Sequence, residues 1–178
     1  SRFKPGTILW LPYERRIPYN TLDLGDTVPD DCFGRPVLFL VTNPSDDAAW
    51  ILIYTNSSIQ LTTFGDLGPS NTYLRRHGHS AGEYLPLHPA PGRFTIPELF
   101  LEEPQSLVRK NWVFASEPYR CPKVWLKEVR DDRWSNPQLS EDSRKIEKES
   151  FDDLVRYARA NGWHSGVYSG LLRHRGRP

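Results

Sequence analysis

Arg35 stands immediately before Pro36 at the head of an apolar run, a setting that suits it to holding a phosphate. A guanidinium is always charged, and its planar fork of donors matches two phosphate oxygens. The following proline biases position 35 toward extended backbone. Thr55 closes the next apolar run, so its hydroxyl could meet the same phosphate if the two runs pair in register. The plainer alternative pairs Arg35 with Asp23, Asp26, Asp30 or Asp31 at the surface and leaves Thr55 an ordinary β-branched strand residue.

Arg75, Arg76, His77 and His79 form a second cluster. Its imidazoles could serve as a general base or, with the arginines, bind phosphate. As metal ligands they lack nearby partners, since Cys32, His88 and Cys121 lie far away in sequence, so neither a metal nor another cofactor is expected. The bland alternative is a solvated basic loop. A third stretch interleaves Arg109, Lys110, Arg120, Lys123, Lys127, Arg130 and Arg133 with Trp112, Trp125 and Trp134. Such a pattern can grip single-stranded nucleic acid, rings stacking on bases while cations track phosphates. It also suits core tryptophans with lysines on the wet side of edge strands. The candidate nucleic-acid-binding residues are thus Arg75, Arg76, His77, His79, Arg109, Lys110 and Trp112. The acidic pairs Asp30–Asp31 and Asp46–Asp47 could bind a cation but are explained by turn chemistry alone. Phosphate-binding glycine loops, dinucleotide fingerprints and Gly-x-Ser-x-Gly elbows are absent, and neither cysteine has an activating neighbourhood.

These residues need a framework. A chain of 178 residues suits one domain with a core of its own. Twenty-three Lys+Arg against 22 Asp+Glu give a net charge of +1, which excludes binding nucleic acid by bulk charge. No apolar run is long enough to cross a bilayer as a helix. Two cysteines are too few for a disulfide framework, so buried thiols in a reducing, intracellular setting (cytoplasmic or nuclear) are expected. The absence of Met and the Ser1–Arg2 start suggest a piece of a longer polypeptide. The 16 prolines, nearly twice the usual share of about 5%, are scattered and punctuate short elements.

Residues 7–11 form the first expected strand, followed by a long polar connection over 13–34. Residues 37–42 and 50–55 are continuous apolar runs rich in β-branched and aromatic types, the signature of core strands, and the Asn43-Pro44 turn between them predicts an antiparallel hairpin. Residues 57–82 show no period and read as a long mobile insertion. Short strands are expected at 83–87, 99–101, 112–115 and 123–129. Ser150 and Asp153 have capping-box spacing, Phe151, Leu154, Val155 and Ala158 recur at helical intervals, and Asn161-Gly162 closes that helix. Residues 140–149 are a charged lead-in, and the tail 173–178 is expected to fray. Together these predict a mainly β fold: a small antiparallel barrel over 1–135 with insertion 57–82, and a C-terminal α-helix within 136–178 packed on it.

KPGTILW (residues 4–10), GRPVLFLV (34–41) and WILIYTNS (50–57) follow the strand order of the MazF/PemK toxin family, which this chain resembles. LFL at 99–101 with QSLVRK at 105–110 is similar to a later strand and basic stretch of that family. The resemblance implies an SH3-like barrel and a metal-independent endoribonuclease acting on single-stranded RNA. Cleavage of that kind needs a base for the 2′-OH, stabilised charge on the phosphorane and a proton for the leaving oxygen. Arg35 and Thr55 would be the catalytic pair. The chain departs from the family pattern at Ile53-Tyr54-Thr55, in its longer first connection and 57–82 insertion, and in the added helix. SLVRKNWV at 106–113 also resembles a fungal domain of uncharacterised function, which implies no activity. Two functions stand open: an RNA-binding or RNA-cleaving barrel, and a non-catalytic SH3-like module that binds a protein partner through exposed aromatics and loops. Neither reading fixes an oligomeric state.

Overall fold

The computed structural model describes residues 3–18, 21, 28–42, 48–56, 64–65, 68–92, 95–102, 110–128 and 145–172. The two strongest apolar runs form neighbouring strands, β2 (Arg35–Thr42) and β3 (Ala48–Asn56), paired antiparallel as Val37↔Ile53, Leu38↔Leu52 and Phe39↔Ile51. β1 (Ile8–Leu11) lies outside β2. The short pairs β4 (Phe64–Gly65) and β5 (Gly68–Pro69) make a separate two-stranded ribbon. β6 (Tyr84–Leu87), β7 (Asn111–Pro122) and β8 (Lys127–Glu128) complete one antiparallel sheet in the order β6-β7-β3-β2-β1-β8.

The fold is mainly β and antiparallel, but the sheet is open. Closing a barrel requires its end strands to pair. Here β6 and β8 stand at opposite edges; β8 has two residues and β6 carries Pro86, which has no N–H to donate.

Each face of the sheet is covered, and this is why β2 and β3 read as unbroken apolar runs. One face places Leu38, Leu40, Leu52, Val113 and Ala115 against Leu154, Val155, Ala158 and Tyr168. Those partners come from α2 (Lys148–Ala160) and α3 (Ser165–Leu172), so the C-terminal region shares its core with the sheet. The Tyr168 hydroxyl donates to the Ala115 carbonyl at 2.6 Å. On the opposite face Leu9, Leu11, Val37, Phe39, Ile51 and Ile53 meet Ile17, Cys32, Trp125 and Leu126. Trp112, Phe114 and Tyr84 continue that face under Leu74 and Ala90. Cys32 and Cys121 are both buried thiols.

Several local expectations need correction. Within 57–82, residues Asn71–His77 are helical (α1), started by the Ser70 hydroxyl accepting from the Tyr73 N–H and stopped by Gly78 at φ 67°. The connection 13–34 contains one-turn 3-10 helices at Glu14–Arg16 and Asp30–Cys32. The expected strand 123–129 is a 3-10 helix, Lys123–Trp125, followed by β8. Residues 99–101 make only single bridges, Leu87↔Leu99 and Leu101↔Ile146. Ser150 lies inside α2, where its hydroxyl accepts from the Phe100 N–H at 2.9 Å, and does not cap the helix. The turn 43–47, the segment 140–144 and the tail 173–178 lie outside the described residues. Among the described residues, no helix is long and apolar enough to cross a membrane.

Candidate functional site

Arg35 owes its place to Gly34. At φ 72° this glycine adopts a left-handed conformation that costs most side chains energy, and its N–H reaches the carbonyls of Leu11 at 2.9 Å and Pro12 at 3.2 Å. The chain thereby turns from the Asp30–Cys32 helix into β2 with Arg35 opposite Leu11. Arg35 is half-buried. Thr55, near the end of β3, is in register with Trp112 of β7. The β2–β3 pairing runs as far as Val37↔Ile53, next to Pro36, which lacks the N–H needed to extend it. Continued by two residues, the same register sets positions 35 and 55 across from each other at one end of the sheet. Only the backbone of Thr55 is described.

That end gathers further groups. β1 and β3 stop there, β2 and β7 begin there, and β6 ends there. Lys110 directly precedes β7, and the Glu14–Arg16 helix follows β1 by way of Pro12 and Tyr13. Arg35, Arg15, Arg16 and Lys110 therefore belong to one rim, together with the carboxylate of Glu14. His88, just beyond β6, accompanies the same rim three strands away, where its Nδ1 lies 2.9 Å from Glu98 Oε1 and its ring stacks on Phe100.

The basic cluster on α1 occupies a different place. Arg75, Arg76 and His77 fill the exposed last turn, where cations favour the helix dipole and the outward-pointing carbonyls. His79 follows Gly78 and lies stacked on Phe114, ring centroids 4.5 Å apart, with Nδ1 2.7 Å from the Tyr84 hydroxyl. Tyr84 reaches Tyr73 at 3.5 Å, and Tyr73 sits 4.3 Å from the His77 ring. Burial, aided by that Tyr73 contact and by Glu83, pushes the Tyr84 hydroxyl well above the ordinary tyrosine range, so it keeps its proton.

The row Tyr84–Phe114–Ile53–Val37 crosses from β6 to β2 through three strand spacings, about 14 Å in all. The β2–β3 register, continued past Val37↔Ile53, would set positions 35 and 55 together, while His79, stacked on Phe114 of β7, stands two strands from β2 and beside β3, the strand of Thr55. Trp112, expected to stack on bases, is 2% exposed and serves the core beside Leu74 and Tyr84. Arg109 lies outside the described residues. Among the described residues, no group of three or more His, Cys, Asp or Glu side chains could hold a metal ion. Sequence reading passed over Tyr13, Arg15 and Arg16, although an aromatic beside two arginines was a legible signal. No family model, curated protein or solved structure matches the chain.

Proposed function

We propose that this chain binds single-stranded RNA at the end of the sheet where Arg35 begins β2. The observation that carries the reading is topological: strands ending or starting there put Arg35, Arg15, Arg16 and Lys110 on one rim of a molecule whose net charge is only +1. Phosphate contacts dominate nucleic-acid affinity, and a local concentration of guanidinium groups supplies them without a basic surface overall. The exposed turn of α1, with Arg75 and Arg76, offers a second cationic contact for a strand leaving the rim.

The proposal is binding rather than cleavage. A general base for the 2′-OH must stand within hydrogen-bond reach of it or act through one water. His79, stacked on Phe114 of β7, is two strands from the strand of Arg35, and His88, beyond β6, is three, about 10 and 14 Å at the usual spacing. Arg35 accordingly acts as a phosphate clasp, its guanidinium supplying both the charge and paired hydrogen bonds.

The test is fluorescence anisotropy with a mixed-sequence single-stranded RNA in chelator, followed by a gel of the same RNA. Wild-type protein binds, Arg35→Ala weakens binding severalfold, and Arg156→Ala, on the helix over the opposite face, leaves it unchanged. Absence of binding, or equal loss in both variants, overturns the reading.

A further inference from the structure

We infer that Tyr13 is a stacking platform for one base of the bound strand, with Arg15 beside it for an adjoining phosphate; this rests on the RNA reading above. Tyr13 is 47% exposed and, with Phe100 and Val124, is one of the large apolar side chains left open among the described residues. Unlike an ordinary surface ring, it is held. Its ring lies against Gly34, where any Cβ would run into it. Trp10 meets it edge-on, with centroids 6.4 Å apart and planes at 72°. The Arg15 guanidinium stands 5.6 Å from the ring centroid.

Each contact has a consequence for ligand binding. Gly34 forms a floor fixed by its own hydrogen bonds to Leu11 and Pro12, so the ring has already lost the freedom that binding would otherwise have to remove. The cation beside the ring identifies an accessible π-surface. Arg15 belongs to a three-residue 3-10 helix with every residue exposed, so its guanidinium can yield its position to a base and turn to a phosphate. Arg35 follows Gly34 in the chain and, paired with Leu11, belongs to the other face of β2, so it meets the ligand only where the bound strand rounds the rim. Aromatic stacking accepts every base, because each has a π-face, and it requires the base to be unstacked from its neighbours. The ligand class is therefore single-stranded RNA of any base composition, not duplex RNA.

Anisotropy titrations of the full chain with a short uridine homopolymer and with an abasic ribose-phosphate strand of equal length separate stacking from phosphate binding. Tyr13→Ala weakens binding of the uridine strand about tenfold or more and leaves the abasic strand unchanged, while Tyr13→Phe matches wild type on both. An equal loss on the two strands, or no loss on a uridine strand that wild type binds, overturns the platform and leaves the RNA reading standing. Wild-type protein that binds neither strand overturns both.

Discussion

His79 Nδ1 lies 2.7 Å from the hydroxyl of Tyr84, and the His79 ring is stacked on Phe114, the residue paired with Tyr84 across β6 and β7. One contact fixes the turn after α1 in position and orientation. Removing the hydroxyl leaves His79 and Tyr73 without that partner in a largely apolar setting. Tyr84→Phe is expected to cost about 1 kcal/mol in urea unfolding at neutral pH. An unchanged midpoint would mean that water replaces the hydroxyl at no cost.

Alkaline conditions provide a second measure of the same burial. Tyr84 and Tyr168 both hold their protons above the usual tyrosine range, chiefly through desolvation, and Tyr168 also donates to the Ala115 carbonyl. Below the ordinary value of about 10 the folded and unfolded chains are equally protonated at these sites, so stability does not change there. Above it the unfolded chain loses its tyrosine protons while the folded chain retains them. Stability then falls as pH rises, by up to about 1.4 kcal/mol per pH unit for each of the two residues. Urea midpoints followed upward from about pH 9 should decline, and Tyr168→Phe should show a shallower decline than wild type.

The glycines of the two turns separate backbone strain from steric clash. Gly34 and Gly78 have nearly equal φ values, 72° and 67°. A Cβ at Gly78 meets nothing within 4 Å, whereas one at Gly34 collides with the Tyr13 ring. Gly78→Ala should therefore cost about 1 kcal/mol for the left-handed backbone alone. Gly34→Ala should cost appreciably more in the same thermal melts, because Tyr13 must also move. Equal costs would show that the ring yields freely and that Gly34 does not hold it.

The framework was more legible in the sequence than the site. Residues 37–42 and 50–55 announced themselves because both faces of β2 and β3 are covered, and the stripe Leu154, Val155 and Ala158 marked α2 because it has one buried side. α1 left no such mark: over Asn71–His77 only Leu74 is buried, too little for a period, and the helix is specified by its Ser70 and Gly78 ends. Ser150 misled as a cap because its acceptor serves Phe100, fifty residues earlier in the chain, a relation local spacing cannot contain. Trp112 and Tyr13 differ in exposure for a similar reason. Basic neighbours surround both, but the Tyr84 and Leu74 contacts that bury Trp112, and the bare Gly34 surface that props up Tyr13, exist only once the sheet has formed.

Charge and geometry at Arg35 can be told apart by salt. For single-stranded nucleic acid, each phosphate neutralised contributes about 0.7 to the slope of log affinity against log salt. Arg35→Ala should reduce the slope by about that amount and lower affinity at every salt concentration. Arg35→Lys keeps the charge, so the slope should stay near that of wild type, yet affinity should fall because an ammonium cannot make the two parallel contacts of a guanidinium. Arg156→Ala changes neither quantity, since that side chain is paired with Asp153 on α2, over the opposite face of the sheet. Titrations across a potassium chloride series give all three slopes. If the alanine variant keeps the wild-type slope, Arg35 touches no phosphate, and the cations that hold the strand must be sought elsewhere on the molecule.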